Sequence, residues 1–246
     1  PLGVVGIAVG TALLPMISRQ LEAGSAEDAN NAQNRGAEYA MLLTVPAAFA
    51  LMVIAQPIIV TLFERGAFGA DASAATAQAL VAYAIGLPAY VGIRVFTPGF
   101  FAREDTATPV KIAALAIAVN IGLNLLLMQP LGHAGIALAS SVSAWLNVVL
   151  LVGVLIRRRH YSPDTRLLRR GAGILVASAL MGAALWGGAD VLAPWLQAHG
   201  LIRWAALAAL VGGGLALYFI LARVFGVFVM AEIKRTLRRP PKTPSA

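Results

Sequence analysis

The chain has 246 residues, of which 59% are hydrophobic and only 12% are charged, with a formal net charge of +8. One water-soluble core could not bury this much apolar surface, so the composition excludes an ordinary soluble domain and predicts a polytopic membrane protein. The sequence contains no cysteine, which excludes disulfides and thiolate metal sites. The basic residues adjoin apolar segments and form no aromatic-interleaved face, so we expect no nucleic-acid partner.

Seven apolar segments are predicted to form membrane spans, and the predicted fold class is all-α, a transmembrane helical bundle. The longer segments can cross a hydrocarbon core of about 30 Å at about 1.5 Å per residue. A short turn joins the fourth and fifth segments, so these two are expected to form a helical hairpin. In chain order the segments cover residues 2–17, 39–63, 74–101, 109–128, 136–156, 167–192 and 201–228.

Capping residues and prolines mark several helix boundaries. Ser25 followed by Asp28 resembles a capping box, and it predicts a polar helix that runs directly into the second span. Pro88, and Pro98 with Gly99, should interrupt the third span, because proline lacks the backbone N–H that the helix needs. Thr106 or Thr108 is expected to cap the fourth span.

Lysine and arginine are distributed unevenly between alternate connections. Sixteen of these residues lie on one side of the predicted bundle and two on the other, while the remaining one, Arg94, lies within a span. Because basic loops stay in the cytoplasm, this alternation predicts a cytoplasmic C-terminus. The connections are short and carry no P-loop, zinc-ligand spacing or nucleophile elbow, so we expect no enzyme.

The first group of candidate functional residues lies on the third span. Tyr83, Tyr90, Arg94 and Thr97 recur at helical spacing and therefore share one face. An arginine within a span is costly, so it is expected either to extend to the cytoplasmic surface or to face a cavity that binds an anion.

A second group of polar residues lies on the predicted hairpin. Asn120 and Asn124 are one turn apart on the fourth span, and Ser140, Ser143 and Asn147 share a face of the fifth. Such side chains can simply hydrogen-bond between neighbouring helices. The alternative is a small cation site, because amide and hydroxyl oxygens are suitable ligands for hard cations.

Three stretches closely resemble the MurJ (MviN) lipid II flippase family, and the likeness is collinear over essentially the whole chain. That family belongs to the multidrug/oligosaccharidyl-lipid/polysaccharide exporter superfamily, whose two helical lobes alternate access. The resemblance implies a C-terminal transporter lobe with two extra helices. The three stretches are residues 1–15, which contain PLGVVGIA and TALLP, residues 98–112, which read PGFFAREDTATPVKI, and residues 130–139, which read PLGHAGIALA.

The resemblance also implies a function and roles for the candidate residues. Members export lipid II, the lipid-linked peptidoglycan precursor, across the bacterial inner membrane. Arg94, Tyr90 and Tyr83 would then bind substrate, and the polyprenyl tail would lie in a groove made by the last two helices. Asn120, Asn124 and Ser140 fall where some members hold sodium, although an amide replaces the family's carboxylate at Asn124. No cofactor is expected, and either Na⁺ or the membrane potential would drive transport.

The resemblance divides the chain into three parts. Residues 1–156 would form the transporter lobe, residues 157–228 two peripheral lipid-facing helices, and residues 229–246 a basic cytoplasmic tail. Because the chain begins at Pro1 without a methionine, we expect an N-terminal lobe of the same protein as a partner, besides lipid II and membrane lipids. Two alternatives stay open, namely a related exporter of drugs or other polyprenyl-linked glycans and a non-transporting scaffold for cell-wall assembly.

Overall fold

The computed structural model describes the backbone of residues 2–198 and 200–227 and the side chains of residues 12–198 and 200–227. Within these residues the chain is almost entirely helical, which confirms the all-α fold class. The predicted basic tail, residues 229–246, lies outside the described residues. The helices are α1 (Leu2–Glu22), α2 (Ala26–Val53), α3 (Ala55–Phe63), α4 (Ala70–Phe96), α5 (Pro98–Phe101), α6 (Ala107–Arg157), α7 (Thr165–Val191), α8 (Ala193–Leu196) and α9 (Leu201–Val224).

Five helical segments of the described chain are long and apolar enough to cross a membrane. They are α2, α4 together with α5, α6, α7 and α9. The predicted number of seven spans stays a prediction, because α6 counts here as one helix of 51 residues.

Helix α6 consists of two antiparallel arms that meet at Gly132. This residue has φ 54° and ψ −131°, a conformation that glycine adopts readily because it has no Cβ. The Asn120 side chain in the first arm donates to Ser143 Oγ in the second at 3.2 Å. In a straight helix these residues, 23 positions apart, would be separated by about 35 Å. The predicted helical hairpin is therefore confirmed.

The second arm of α6 packs closely against α4. A Cβ atom at Gly86 would lie 2.9 Å from Ser141 Cα, so only glycine allows this approach. Ser141 Oγ donates to the Ala82 carbonyl at 2.6 Å, and Trp145 Nε1 donates to the Ile85 carbonyl at 2.9 Å. These contacts place the polar residues of α6 beside the tyrosines of α4.

Of the two predicted interruptions of the third span, the one at Pro98 occurs, between α4 and α5, whereas the one at Pro88 was wrong, because α4 continues through that proline. Helix α5 begins at Pro98, which has no N–H to continue the helical hydrogen bonds. The Gln33 side chain, from α2, donates to the carbonyls of Val95 and Phe96 at 3.4 Å each. Gln33 therefore supplies donors to carbonyls at the interruption, and the absence of a side chain at Gly99 makes room for it.

The cap of α6 is provided by Asp105. Its Oδ1 atom accepts a hydrogen bond from the Thr108 N–H at 3.0 Å, whereas Thr106, at the N-cap position, makes no side-chain cap bond. Hydrogen bonds from Thr108 and Arg158 lower the pKa of Asp105 to about 2. The prediction that Thr106 or Thr108 caps this helix was wrong, because an aspartate one position earlier competes for the same N–H groups.

The N-terminal half of α2 is polar, yet much of it is buried. The helix starts at the predicted cap, where Ser25 Oγ accepts from the Asp28 N–H at 3.3 Å. Asn34 is fully buried; its Nδ2 donates to the Ser162 carbonyl at 2.9 Å and its Oδ1 accepts from Tyr161 Oη at 3.0 Å. Both partners lie in the connection between α6 and α7, so α2 fixes the course of that connection.

A buried charge cluster joins α2 to α7. Glu38 of α2 is only 3% exposed, and its carboxylate forms ion pairs with Arg35, Arg166 and Arg170. Arg35 also pairs with Asp164, the N-terminal cap of α7. In the sequence analysis, the arginines of residues 157–170 counted only toward the uneven distribution of basic residues that predicts the topology. In the structure, Arg166 and Arg170 also form ion pairs with the carboxylate of Glu38, which lies beneath α7.

We predict that Glu38→Gln destabilises the protein by roughly 1.5–3 kcal/mol, because a neutral amide cannot balance three arginines. Thermal unfolding in detergent measures this change. Glu22→Gln is the matched control, since it removes the same charge from an exposed position in the last turn of α1. Equal melting temperatures for both variants would contradict the assigned role of Glu38.

Candidate functional site

A polar cleft lies between α4 and the two arms of α6, with a volume of about 430 Å³. It brings together four of the predicted site residues from the two separate groups. It also contains Ser143 and Asn147, which the sequence had placed on the same face of α6. The polar side chains that line it are Tyr83, Tyr90, Asn120, Ser140, Ser143 and Asn147.

Hydrogen bonds connect the amides and hydroxyls of the two arms. Asn120 Nδ2 donates to Ser140 Oγ at 3.5 Å and to Ser143 Oγ at 3.2 Å, while Asn124 Nδ2 donates to Asn120 Oδ1 at 3.1 Å. Asn124 Oδ1 is buried and has no hydrogen-bond partner among the described residues. The structure thus shows that Asn120 bonds between the two arms, and it leaves one buried amide oxygen, Asn124 Oδ1, without a hydrogen-bond partner among the described residues.

The cleft contains oxygen atoms that suit a hard cation, but its lining carries no negative charge. Amide and hydroxyl oxygens can coordinate a hard cation, and Asn124 Oδ1 lacks a hydrogen-bond partner among the described residues, although Asn124 is not among the residues that line the cleft. The residues lining the cleft include no carboxylate. Among the described residues there is also no group of three or more His, Cys, Asp or Glu side chains that could hold a metal ion. This chain alone therefore offers a neutral oxygen site.

Arg94 is not part of the cleft lining. It is exposed in the last turn of α4, two residues before that helix ends. The segment that is long and apolar enough to cross a membrane continues through α5 to Phe101, so Arg94 lies within it. Arg94 follows Tyr90 by one helical turn, so its side chain leaves α4 on the same face as Tyr83 and Tyr90. No hydrogen bond or ion pair joins Arg94 to the other side chains that the structure describes, which leaves it free to contact an anion or headgroups.

Two apolar grooves lie on the side of α2 that faces α7. The smaller one, about 310 Å³, is bounded by α2, α3, α7 and α9, and includes Leu185 and Phe219. It agrees with the predicted groove of the last two helices. The larger one, about 700 Å³, lies between α2, α4, the second arm of α6 and α7. The sequence analysis missed this groove, although Gly92 and Gly153 in its wall were a signal for reduced side-chain volume.

Comparison with known proteins gives one consistent result. The sequence profile described as "Lipid II flippase MurJ" matches residues 1–231. The chain is 44% identical to a probable lipid II flippase MurJ of Rhizobium meliloti over 97% of its own length and 45% of the relative's. It is 36% identical to the lipid II flippase MurJ of Burkholderia cenocepacia, covering 96% of this chain and 46% of the relative.

A solved structure shows the same fold. It is described as "Lipid II flippase MurJ, inward closed conformation", and it superposes with a TM-score of 0.70 at 22% identity. The match covers 97% of this chain and 45% of the other. The chain thus spans about half the length of the relatives it matches.

If Asn120, Asn124 and Ser140 bind sodium, we predict that NaCl raises the melting temperature relative to KCl at equal ionic strength. A ligand that binds only the folded state stabilises it by mass action, by about 2.7 kcal/mol at one hundred times its Kd. Asn124→Ala should abolish the difference between the salts. Identical melting of the unmutated protein in both salts would contradict the cation site.

Proposed function

Because the chain belongs to the lipid II flippase MurJ family, we propose that it forms part of a protein that moves lipid II across the bacterial inner membrane by alternating access. The observation that carries this proposal is the family match over residues 1–231. The helical fold and the apolar grooves support it. Since the chain spans about half of its relatives, the proposal concerns the protein that contains both lobes.

The surfaces of this lobe suit the two chemically different parts of an amphiphile. The apolar grooves can accept a polyprenyl chain, because burying alkyl surface is favourable and the walls offer few polar groups to desolvate. The cleft offers amides, hydroxyls and tyrosines to a polar headgroup. The exposed guanidinium of Arg94, one helical turn from Tyr90, would provide a positive charge for a pyrophosphate. The remainder of the cavity would come from the N-terminal lobe.

We also propose that Na⁺ binding at Asn120, Asn124 and Ser140 couples to transport. The available Asn124 Oδ1 supports this assignment. The absence of a lining carboxylate implies that a charged ligand would come from another part of the full protein, and the membrane potential is the alternative source of energy. No catalytic step is required, because translocation makes and breaks no covalent bond.

The proposed orientation places the α6–α7 connection and the C-terminus in the cytoplasm, because the basic residues are distributed sixteen to two between the two sides. Single cysteines at the exposed positions Ser162 and His133 test it, since the chain has no native cysteine. In intact spheroplasts an impermeant maleimide should label His133→Cys and spare Ser162→Cys. The reverse pattern would contradict the orientation.

The role of Arg94 tests the substrate assignment. If its guanidinium binds the pyrophosphate, Arg94→Leu should reduce lipid II transport about tenfold to a hundredfold, because a hydrogen bond to a charged group contributes about 1.5–3 kcal/mol. Arg94→Lys should retain much of the activity, since it keeps the charge but loses the bidentate geometry. Transport is measured in cells whose sole flippase is the variant, at matched membrane abundance.

Arg223→Leu is the control for Arg94, because Arg223 is also exposed in the last turn of a long apolar helix. It should leave transport unchanged. Normal export in Arg94→Leu cells would assign Arg94 to contact with headgroups only. Full tolerance of alanine at Arg94, Asn120 and Asn124 would favour the scaffold over a transporter.

A further inference from the structure

A second polar cavity, of about 530 Å³, lies where α1 ends and α2 begins, against the connection between α6 and α7. It is separate from the cleft between α4 and α6. Basic groups predominate in its wall, and apolar side chains border it. The wall includes Arg103, Arg159 and His160, the single carboxylate Glu27, and the apolar Leu21 and Ile156.

Arg103 is held in place at this cavity. Its guanidinium donates to the Gly99 carbonyl at 2.6 Å and to the His160 carbonyl at 3.3 Å. These bonds use two of the five N–H groups that an arginine carries. The side chain is therefore oriented before any ligand arrives, and a ligand need not restrict its rotamers.

Arg159 occupies a backbone position that usually requires glycine. It follows the last turn of α6 with φ 59°, and the next residue, His160, donates its N–H to the Leu155 carbonyl at 2.9 Å, which closes the helix end. An arginine is strained in this left-handed conformation. Arg159 is exposed and has no ion-pair partner among residues 12–198 and 200–227. The chain thus places an uncompensated charge at this strained position.

The pKa of His160 is lowered in part by positive charges near the cavity. Burial, followed by the charges of Arg103 and Arg158, lowers the pKa of His160, and Asp105 opposes this only in part. At neutral pH the imidazole is therefore neutral. Two arginines and one glutamate then leave the wall with a net charge of +1.

From this geometry we propose that the cavity binds the phosphodiester headgroup of an anionic membrane phospholipid. A phosphodiester carries one negative charge, which matches the net charge of the wall, and its oxygens can accept from Arg103 and Arg159. Leu21 and Ile156 border the cavity where the first carbons of the lipid chains would lie. Basic pockets between membrane helices on the cytoplasmic side are suited to such headgroups.

The test is thermal unfolding of the purified protein in detergent, titrated with phosphatidylglycerol or with phosphatidylcholine. We expect only phosphatidylglycerol to raise the melting temperature of the unmutated protein. Arg159→Gly removes the charge and also the strain, so without lipid it should melt at or above the unmutated protein. It should require about fivefold more phosphatidylglycerol for the half-maximal shift. An unchanged phosphatidylglycerol titration would overturn the proposal.

Two controls separate the cavity from general effects. Glu104→Gly is the control for relief of backbone strain, because Glu104 also has φ 59° but does not line the cavity; although it removes a negative charge as well, the variant should not need more phosphatidylglycerol than the unmutated protein. Arg169→Gln tests surface charge alone, because Arg169 is exposed on α7. An equal loss in Arg169→Gln would overturn the proposal in favour of general attraction to anionic lipid.

Two further measurements distinguish loss of lipid binding from poor folding and from binding of a soluble anion. Arg159→Gln removes the charge but keeps a polar side chain with N–H donors, and it should reproduce the weakened lipid response even if the glycine variant folds poorly. Inorganic phosphate at millimolar concentration should neither stabilise the protein nor compete with phosphatidylglycerol. Stabilisation by phosphate together with competition would overturn the lipid assignment and identify a soluble anion as the ligand.

Discussion

The structure depends on the neutralisation of one buried carboxylate. Glu38 lies beneath α7 at 3% exposure, and its three arginine partners come from α2 and α7. Removing one member of such a cluster leaves uncompensated charge, so these ion pairs favour one register of α7 against α2. Nearby positions of α2 hold the α6–α7 connection through Asn34 and the interruption of α4 through Gln33. The polar half of one helix therefore aligns three elements of the lobe, because its side chains point in several directions.

The ion pairs and hydrogen bonds of α2 leave the polar and apolar surfaces of the lobe in different places. Hydrogen bonds along α2 fix the end of the bundle that contains the α6–α7 connection, and apolar grooves form where α7 and α9 approach α2. On the other side of α4, the amides and hydroxyls of α6 satisfy one another across the hairpin, so they can occupy a membrane-spanning region at low cost. A polar headgroup and an apolar chain would thus find different surfaces on the same lobe.

Local patterns predicted much of this architecture, and long-range pairing could not be predicted. Periodicity, proline and glycine located the α6 hairpin, the Ser25 cap and the interruption at Pro98, because each depends on neighbouring residues. Glu38 was missed because its partners Arg166 and Arg170 are 128 and 132 residues away and had already been explained by membrane topology. The polar stripes identified Tyr90 and Asn120 as members of two separate groups, and only the packing of α4 against α6 brings them to one cleft. Spacing along one helix could not predict that cleft, because it carries no information about which helices pack together.

Translocation of lipid II is tested most directly by depleting the full-length protein from cells and locating the lipid II that accumulates. A membrane-impermeant reagent that cleaves or labels the exposed headgroup distinguishes the two leaflets. We expect lipid II to accumulate at the cytoplasmic leaflet, protected from the reagent, and restored synthesis of the protein should make it accessible. Accumulation at the periplasmic leaflet, or an unchanged distribution in the absence of any other flippase, would contradict the proposed function.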